Sequence, residues 1–158
     1  MRQSPDEDAF HERLQAREER PYVLQALIAL NVVIWLVCVA MSLRGPDGIS
    51  EPSPEQLFSW GGLAASAVFK DGEYWRLISA TFLHASWLHI GMNMVVLWVF
   101  GRYTLQWYGN LQFLLIYLGA ALAGSALSLS FAAQQQVSVG ASGAILGVMA
   151  AVVAGLLQ

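Results

Sequence analysis

The second half of the chain has almost no charge, since Arg102 is the single charged side chain between Leu77 and Gln158. A water-soluble domain needs a polar surface, and a segment of this composition cannot supply one. The whole chain is 56% hydrophobic and only 12% charged. We therefore expect lipid, rather than water, to surround most of the chain.

Four apolar runs are long enough for a helix to cross the hydrocarbon core of a bilayer, which requires about 20 residues. They are Pro21–Leu43, a run within Leu77–Phe100, Leu111–Ala133 and Val137–Leu157. Helices are predicted because unpaired strand backbone is not tolerated in lipid, and the alternating pattern of a barrel is absent. The predicted fold class is all-α, a polytopic membrane helix bundle with four transmembrane helices.

The distribution of basic residues predicts the orientation and the domain limits. Residues 1–20 contain four arginines next to the first span, and this segment lacks the features of a signal peptide. The bias of lysine and arginine favours a cytoplasmic N-terminus. We therefore predict a cytoplasmic arm (1–20), a membrane domain (21–158) and an external loop (44–76), with the bacterial inner membrane as the expected location.

The second apolar run contains three polar side chains, His84, His89 and Asn93. Polar groups inside a membrane are costly and are often functional. His89 and Asn93 are four residues apart and share one helix face, and Ser86 is a plausible N-cap that would leave His84 before the helix. Hydrogen bonding between helices remains an alternative role. The histidine spacing and the lack of a carboxylate disfavour a zinc site, and we expect no metal or cofactor.

The stretch SVGASGAILG raises the question of whether Ser142 is a nucleophile. In the predicted topology, Ser142 lies at a depth similar to that of His89 and Asn93. Backbone N–H groups near a helix start, together with these side chains, could form an oxyanion hole. Gly140 and Gly143 would allow the backbone of a substrate to approach closely.

Small residues around Ser142 also support a packing role. They recur every four residues, at Gly143, Gly147, Ala151 and Gly155, as in the small-residue seams of membrane helices. We expect both interpretations to hold, with the seam packing the helix and Ser142 lying beside it.

Three motifs in order resemble those of the rhomboids, a family of intramembrane serine proteases. They are YWR at Tyr74–Arg76, HASWLHIGMN at His84–Asn93 and GASG at Gly140–Gly143. The resemblance implies that Ser142 is the nucleophile and that His89, Asn93 and the Ser142 N–H stabilise the oxyanion. It implies a structural role for His84, and for Trp75 and Arg76 a place in the loop that braces the fold. The implied partners are transmembrane protein substrates and the lipid bilayer, without nucleic acid.

The chain departs from the rhomboid pattern in two respects. Rhomboids have at least six spans and a serine–histidine dyad whose histidine lies on the sixth, whereas only four spans are predicted here. A serine hydroxyl needs an adjacent base, so residues 1–158 alone are expected to be inactive. Family members also often have an aromatic residue where this chain has Leu146. The alternative prediction is a catalytically inactive rhomboid-like protein that binds transmembrane helices.

Overall fold

The computed structural model describes residues 20–45, 51–131 and 136–157. Most of the predicted arm (1–20), part of the predicted external loop and the end of the third apolar run lie outside these residues. Within the described ranges the fold is all-helical, as predicted, apart from one isolated antiparallel bridge between Leu63 and Ser138.

The helices are numbered in chain order. They are α1 (Tyr22–Leu43), α2 (Pro54–Ser59), α3 (Ala65–Phe69), α4 (Arg76–Ser79), α5 (Trp87–Phe131) and α6 (Ser142–Leu156), with a 3-10 turn at Ala80–Phe82 between α4 and α5. Helix α1 begins directly after Pro21, where a proline is tolerated because the first N–H groups of a helix have no partner within it.

Two of these helices, α1 and α5, are long and apolar enough to cross a membrane, and α6 is a shorter apolar helix of 15 residues. Large apolar side chains along α1 are exposed, among them Val33 at 57% and Val37 at 53%. A helix in the core of a soluble protein would bury such residues, whereas a membrane-spanning helix presents them to lipid. The predicted number of four spans stays a prediction.

Helix α5 contains a reversal at Gly109, whose φ of 76° and ψ of 176° are not helical. A straight helix of 45 residues would be about 67 Å long, more than twice the bilayer core. A Cβ atom added to Gly101 would instead lie 3.4 Å from the Phe113 ring, so the two legs of α5 pack side by side. The apolar runs in the sequence end at Phe100 and begin again at Leu111, but the helix continues to Gly109, and Thr104 and Leu105 are buried in the bundle.

The main core lies where α1, both legs of α5 and α6 meet. It includes Leu24, Leu27, Leu97, Leu105, Phe113, Tyr117, Ile145 and Val148. The two ends of the bundle are distinct. The Asn110 side chain bonds the backbone of Arg20 and Val23 at one end, while the Trp87 N–H donates to Glu51 at the other.

Helix α6 packs closely on the second leg of α5 through small residues, as the seam in the sequence predicted. A Cβ added to Gly143 would lie 3.2 Å from the Gly124 Cα, and one added to Gly147 would lie 2.1 Å from the Ala120 Cβ. Small residues permit such close approach between membrane helices, and the resulting van der Waals contact stabilises the pair.

This close contact predicts that Gly147→Ala destabilises the bundle. The new methyl group would collide with the Ala120 Cβ, which has no flexible end that could move away, and overpacking of this kind typically costs about 1–3 kcal/mol. Gly119→Ala is the matched control, because a Cβ at Gly119 meets nothing within 4 Å. Unfolding in denaturing detergent should show a lower midpoint for Gly147→Ala only, and equal midpoints for both variants would contradict the packing assigned to α6.

Candidate active site

The start of α5 holds the two histidines at one end of the bundle. Ser86 Oγ accepts a hydrogen bond of 3.2 Å from the His89 N–H, so the predicted N-cap is confirmed. His84 precedes the helix and is only 1% exposed. Its ring meets the His89 ring edge-on at 5.1 Å between centroids.

The side chains of His89 and Asn93 face the backbone at Gly140. A Cβ added to Gly140 would lie 2.6 Å from His89 Nε2 and 3.6 Å from Asn93 Nδ2. Gly140 has a φ of +119°, a conformation that glycine adopts without steric cost. The structure therefore brings together His89, Asn93 and Gly140, three of the residues that the sequence singled out. Gly140 lies two positions before Ser142.

Ser142 is the first residue of α6. The apolar run from Val137 predicted a helix that begins there, and this prediction was wrong because residues 137–141 are not helical. Ser142 thus belongs to the first turn, where backbone N–H groups have no acceptor within the helix. Its side chain is exposed, and no hydrogen bond to its hydroxyl is formed by the part of the chain that the structure describes.

The segment before Ser142 is held by backbone hydrogen bonds to other elements. Leu63 and Ser138 exchange two N–H···O bonds of 2.8 and 2.9 Å, and the Gly140 N–H donates to the Ala80 carbonyl at 2.9 Å. Ser128 Oγ also donates to Ser138 Oγ at 2.9 Å. Sequence reasoning missed these positions, because ordinary apolar and small residues supply the contacts through their backbone.

The segment that contains Leu63 is in turn organised by Arg76. The Arg76 guanidinium donates to the carbonyls of Phe58 and Gly62 at 2.6 and 2.8 Å and pairs with Glu73 at 2.5 Å. It also lies over the rings of Phe58 and Trp75, at 4.4 and 4.8 Å from their centroids. Arg76 is 5% exposed, so this buried charge is paired with a carboxylate and hydrogen-bonded to two carbonyls, as a buried cation requires.

A cavity of about 340 Å³ opens beside Ser142. The second leg of α5, the segment 138–140 and the start of α6 form most of its wall. Its lining includes Ala121, Ser125, Leu127, Ser128, Phe131, Ser138, Gly140, Ser142, Gly143 and Leu146. The wall is mostly apolar with a few hydroxyl groups, a composition typical of ligand pockets.

One face of α6 next to this cavity is uncovered. Leu146 is 65% exposed and Val153 is 56% exposed, and both lie on the side of the helix that also exposes Ser142. Among the described residues, no group of three or more histidine, cysteine or acidic side chains is placed to hold a metal ion. The site therefore consists of a serine, a histidine, an asparagine and backbone N–H groups beside an apolar cavity.

Comparisons with known proteins match this arrangement. A family model described as the Rhomboid domain matches residues 71–158. RHOMBOID-like protein 6, mitochondrial, of Arabidopsis thaliana is 43% identical over 106 residues, which are 67% of this chain and 34% of that protein. Rhomboid protease GluP of Bacillus subtilis is 33% identical over 132 residues, which are 84% of this chain and 24% of that protein.

The fold and these matches define the class as an integral membrane protein built from apolar helices. The chain belongs to the rhomboid family. It spans no more than about a third of the length of either of these relatives. The names Rhomboid protease GluP and, in Emericella nidulans, Rhomboid-type serine protease 2 support protease activity at the level of the family.

Proposed function

We propose that the chain supplies the nucleophile and the oxyanion site of an intramembrane serine protease that cleaves transmembrane-helix substrates. The observation that carries this proposal is the meeting of His89 Nε2 and Asn93 Nδ2 with the backbone at Gly140, two residues before a serine at a helix start. Donors grouped in this way stabilise the negative charge that develops on a carbonyl oxygen during acyl transfer.

In the proposed mechanism, Ser142 Oγ attacks the scissile carbonyl carbon while a base removes the hydroxyl proton. The carbonyl oxygen becomes an oxyanion, which His89, Asn93 and the Ser142 N–H stabilise. The cavity beside Ser142 would hold an apolar substrate side chain next to the cleaved bond. The protonated base gives its proton to the amide nitrogen, and collapse of the intermediate expels the amine. Water, deprotonated by the same base, then attacks the acyl-serine, and the base returns that proton to the Ser142 oxygen as the acid product leaves.

We propose that the base is a histidine outside residues 1–158, on one of the two further spans that the family resemblance implies. No histidine or carboxylate bonds the Ser142 hydroxyl within the described ranges. The exposed face with Leu146 and Val153 gives a further helix an apolar surface to pack on. The chain alone would then hold the nucleophile without a base.

The four-span topology and the orientation belong to the same proposal. Helix α1, the two legs of α5 and α6 would be the four spans, with the N-terminus in the cytoplasm. Glu51, Trp87 and Ser142 lie at the end of the bundle opposite Arg20 and Asn110, which supports cleavage near the outer membrane face. The proposed membrane is the bacterial inner membrane.

The oxyanion assignment is tested by His89→Ala and Asn93→Ala in residues 1–158 co-expressed with a fragment that supplies the two further spans. Removing one oxyanion donor typically costs about 2.7–4 kcal/mol of transition-state stabilisation. We therefore expect each variant to lower kcat at least tenfold for a transmembrane reporter, with a smaller change in KM. Met92→Ala is the control, because Met92 is on the same helix and 58% exposed.

Two outcomes would contradict the proposal. If His89→Ala and Asn93→Ala lowered thermal stability but left kcat unchanged, their role would be structural. If the assembled protein bound the reporter without cleaving it, the alternative of an inactive rhomboid-like binding protein would be favoured.

A further inference from the structure

A second groove lies on the first leg of α5, away from the candidate active site. Its volume is about 340 Å³, and its lining is Trp98, Val99, Arg102, Tyr103 and Gln106. These residues follow one another at helical spacing and are exposed, with Trp98 at 39% and Tyr103 at 52%. The groove therefore faces the surroundings of the bundle rather than its core.

Arg102 gives this groove a charge that nothing in the described protein neutralises. It forms no ion pair with the described residues, and its guanidinium lies 5.5 Å from the centroid of the Trp98 ring. Stacking on an aromatic ring holds a guanidinium in place without using its N–H donors. The donors remain free for an anion, and they can bind two phosphate oxygens at once.

The position of the groove along α5 fits the boundary between lipid tails and headgroups. Arg102 is about 22 Å along the leg from Trp87 and about 10 Å from the reversal at Gly109. A leg that crosses the hydrocarbon core, which is about 30 Å thick, therefore places the Arg102 backbone about 10 Å below one surface. A long arginine side chain can extend its guanidinium from there to the headgroups. Tryptophan and tyrosine are enriched at the membrane–water interface, and Trp98 and Tyr103 flank Arg102 near that level.

We propose that this groove binds the phosphate group of an anionic phospholipid. Arg102 pairs with the phosphate, and Gln106 and the Tyr103 hydroxyl donate further hydrogen bonds. The acyl chains lie along Val99 and the Trp98 ring. Charge complementarity favours an anionic lipid, and the apolar half of the groove favours a lipid over a soluble phosphate.

The test is native mass spectrometry of the chain released from vesicles of phosphatidylcholine mixed with phosphatidylglycerol. A single basic residue near an anionic surface contributes about 1 kcal/mol. Arg102→Gln is therefore expected to lower the ratio of retained phosphatidylglycerol to phosphatidylcholine about fivefold. The substitution should not affect folding, because Arg102 is exposed, and an unchanged unfolding midpoint would verify this.

Arg44→Gln is the matched control, because it removes one exposed arginine. Arg44 follows the C-terminal end of α1, at the end of the bundle opposite to Arg102. We expect it to leave the ratio unchanged. An equal loss in both variants would show a dependence on net charge alone and would overturn the proposal, as would an unchanged ratio in Arg102→Gln. Inorganic phosphate should not displace the lipid, and complete displacement would overturn the assignment to a phospholipid.

Discussion

Ser142→Ala is expected to abolish both cleavage of a transmembrane reporter and labelling by a fluorophosphonate in the protein assembled from residues 1–158 and the two further spans. Four serines line the cavity, but their hydroxyls differ in availability. Ser125 Oγ donates to the Leu77 carbonyl, and Ser128 donates to Ser138. Of the four hydroxyls, only that of Ser142 has no hydrogen-bond partner within the described residues.

Ser128→Ala is the matched control, since it removes a hydroxyl from the same cavity and should leave labelling in place. Residues 1–158 without the further spans should not react with the probe, because a serine without a base is a weak nucleophile near neutral pH. Strong labelling of the chain alone that disappears in Ser142→Ala would show that the base lies within the chain. His84 or His89 would then have a role different from the one proposed.

Gly140→Ala is the second variant that we expect to lower kcat strongly. The new methyl group would lie 2.6 Å from His89 Nε2, so either the imidazole or the segment before Ser142 must move. The φ of +119° at this position adds backbone strain for any residue with a Cβ. A displacement of about 1 Å in a catalytic group can cost about 100-fold in rate, and kcat for the reporter should fall by at least that factor.

The control for backbone strain is Gly72→Ala. Gly72 also has a positive φ, of 73°, but a Cβ there meets nothing within 4 Å, so activity should be retained. In a His89→Ala background the collision is removed, and Gly140→Ala should then lower the unfolding midpoint less than it does in the native background. Equal activity of Gly140→Ala and the native protein would contradict the contact between Gly140 and His89.

The sequence was sufficient where a local rule decides the structure. The hydroxyl of Ser86 can cap a helix through the N–H three residues later, and it does so at His89. Pro21 marks the start of α1 because its missing N–H has no cost there. The spacing of His89 and Asn93 puts both on one helix face, and both meet the backbone at Gly140. The roles of these residues in catalysis stay predictions.

The sequence was not sufficient where an apolar segment had two ways to form the hydrogen bonds of its backbone. Residues 137–141 are as apolar as a membrane helix, so hydropathy predicted that α6 would begin at Val137. In the fold, the N–H groups of Ser138 and Gly140 donate to Leu63 and Ala80, and these bonds replace the helical ones. Hydropathy measures only transfer from water and is the same for both structures.

Composition and local spacing therefore determined the lipid surroundings and the all-helical architecture. Three motifs in the sequence carried the resemblance to the rhomboid family, and the comparisons confirm it. Only the tertiary structure decided the reversal at Gly109, the extended segment before Ser142 and the contact of His89 with Gly140. Each of these depends on partners distant in the chain, such as Phe113 packed near Gly101 or Leu63 paired with Ser138. No local pattern specifies such partners, because they meet only when the helices pack.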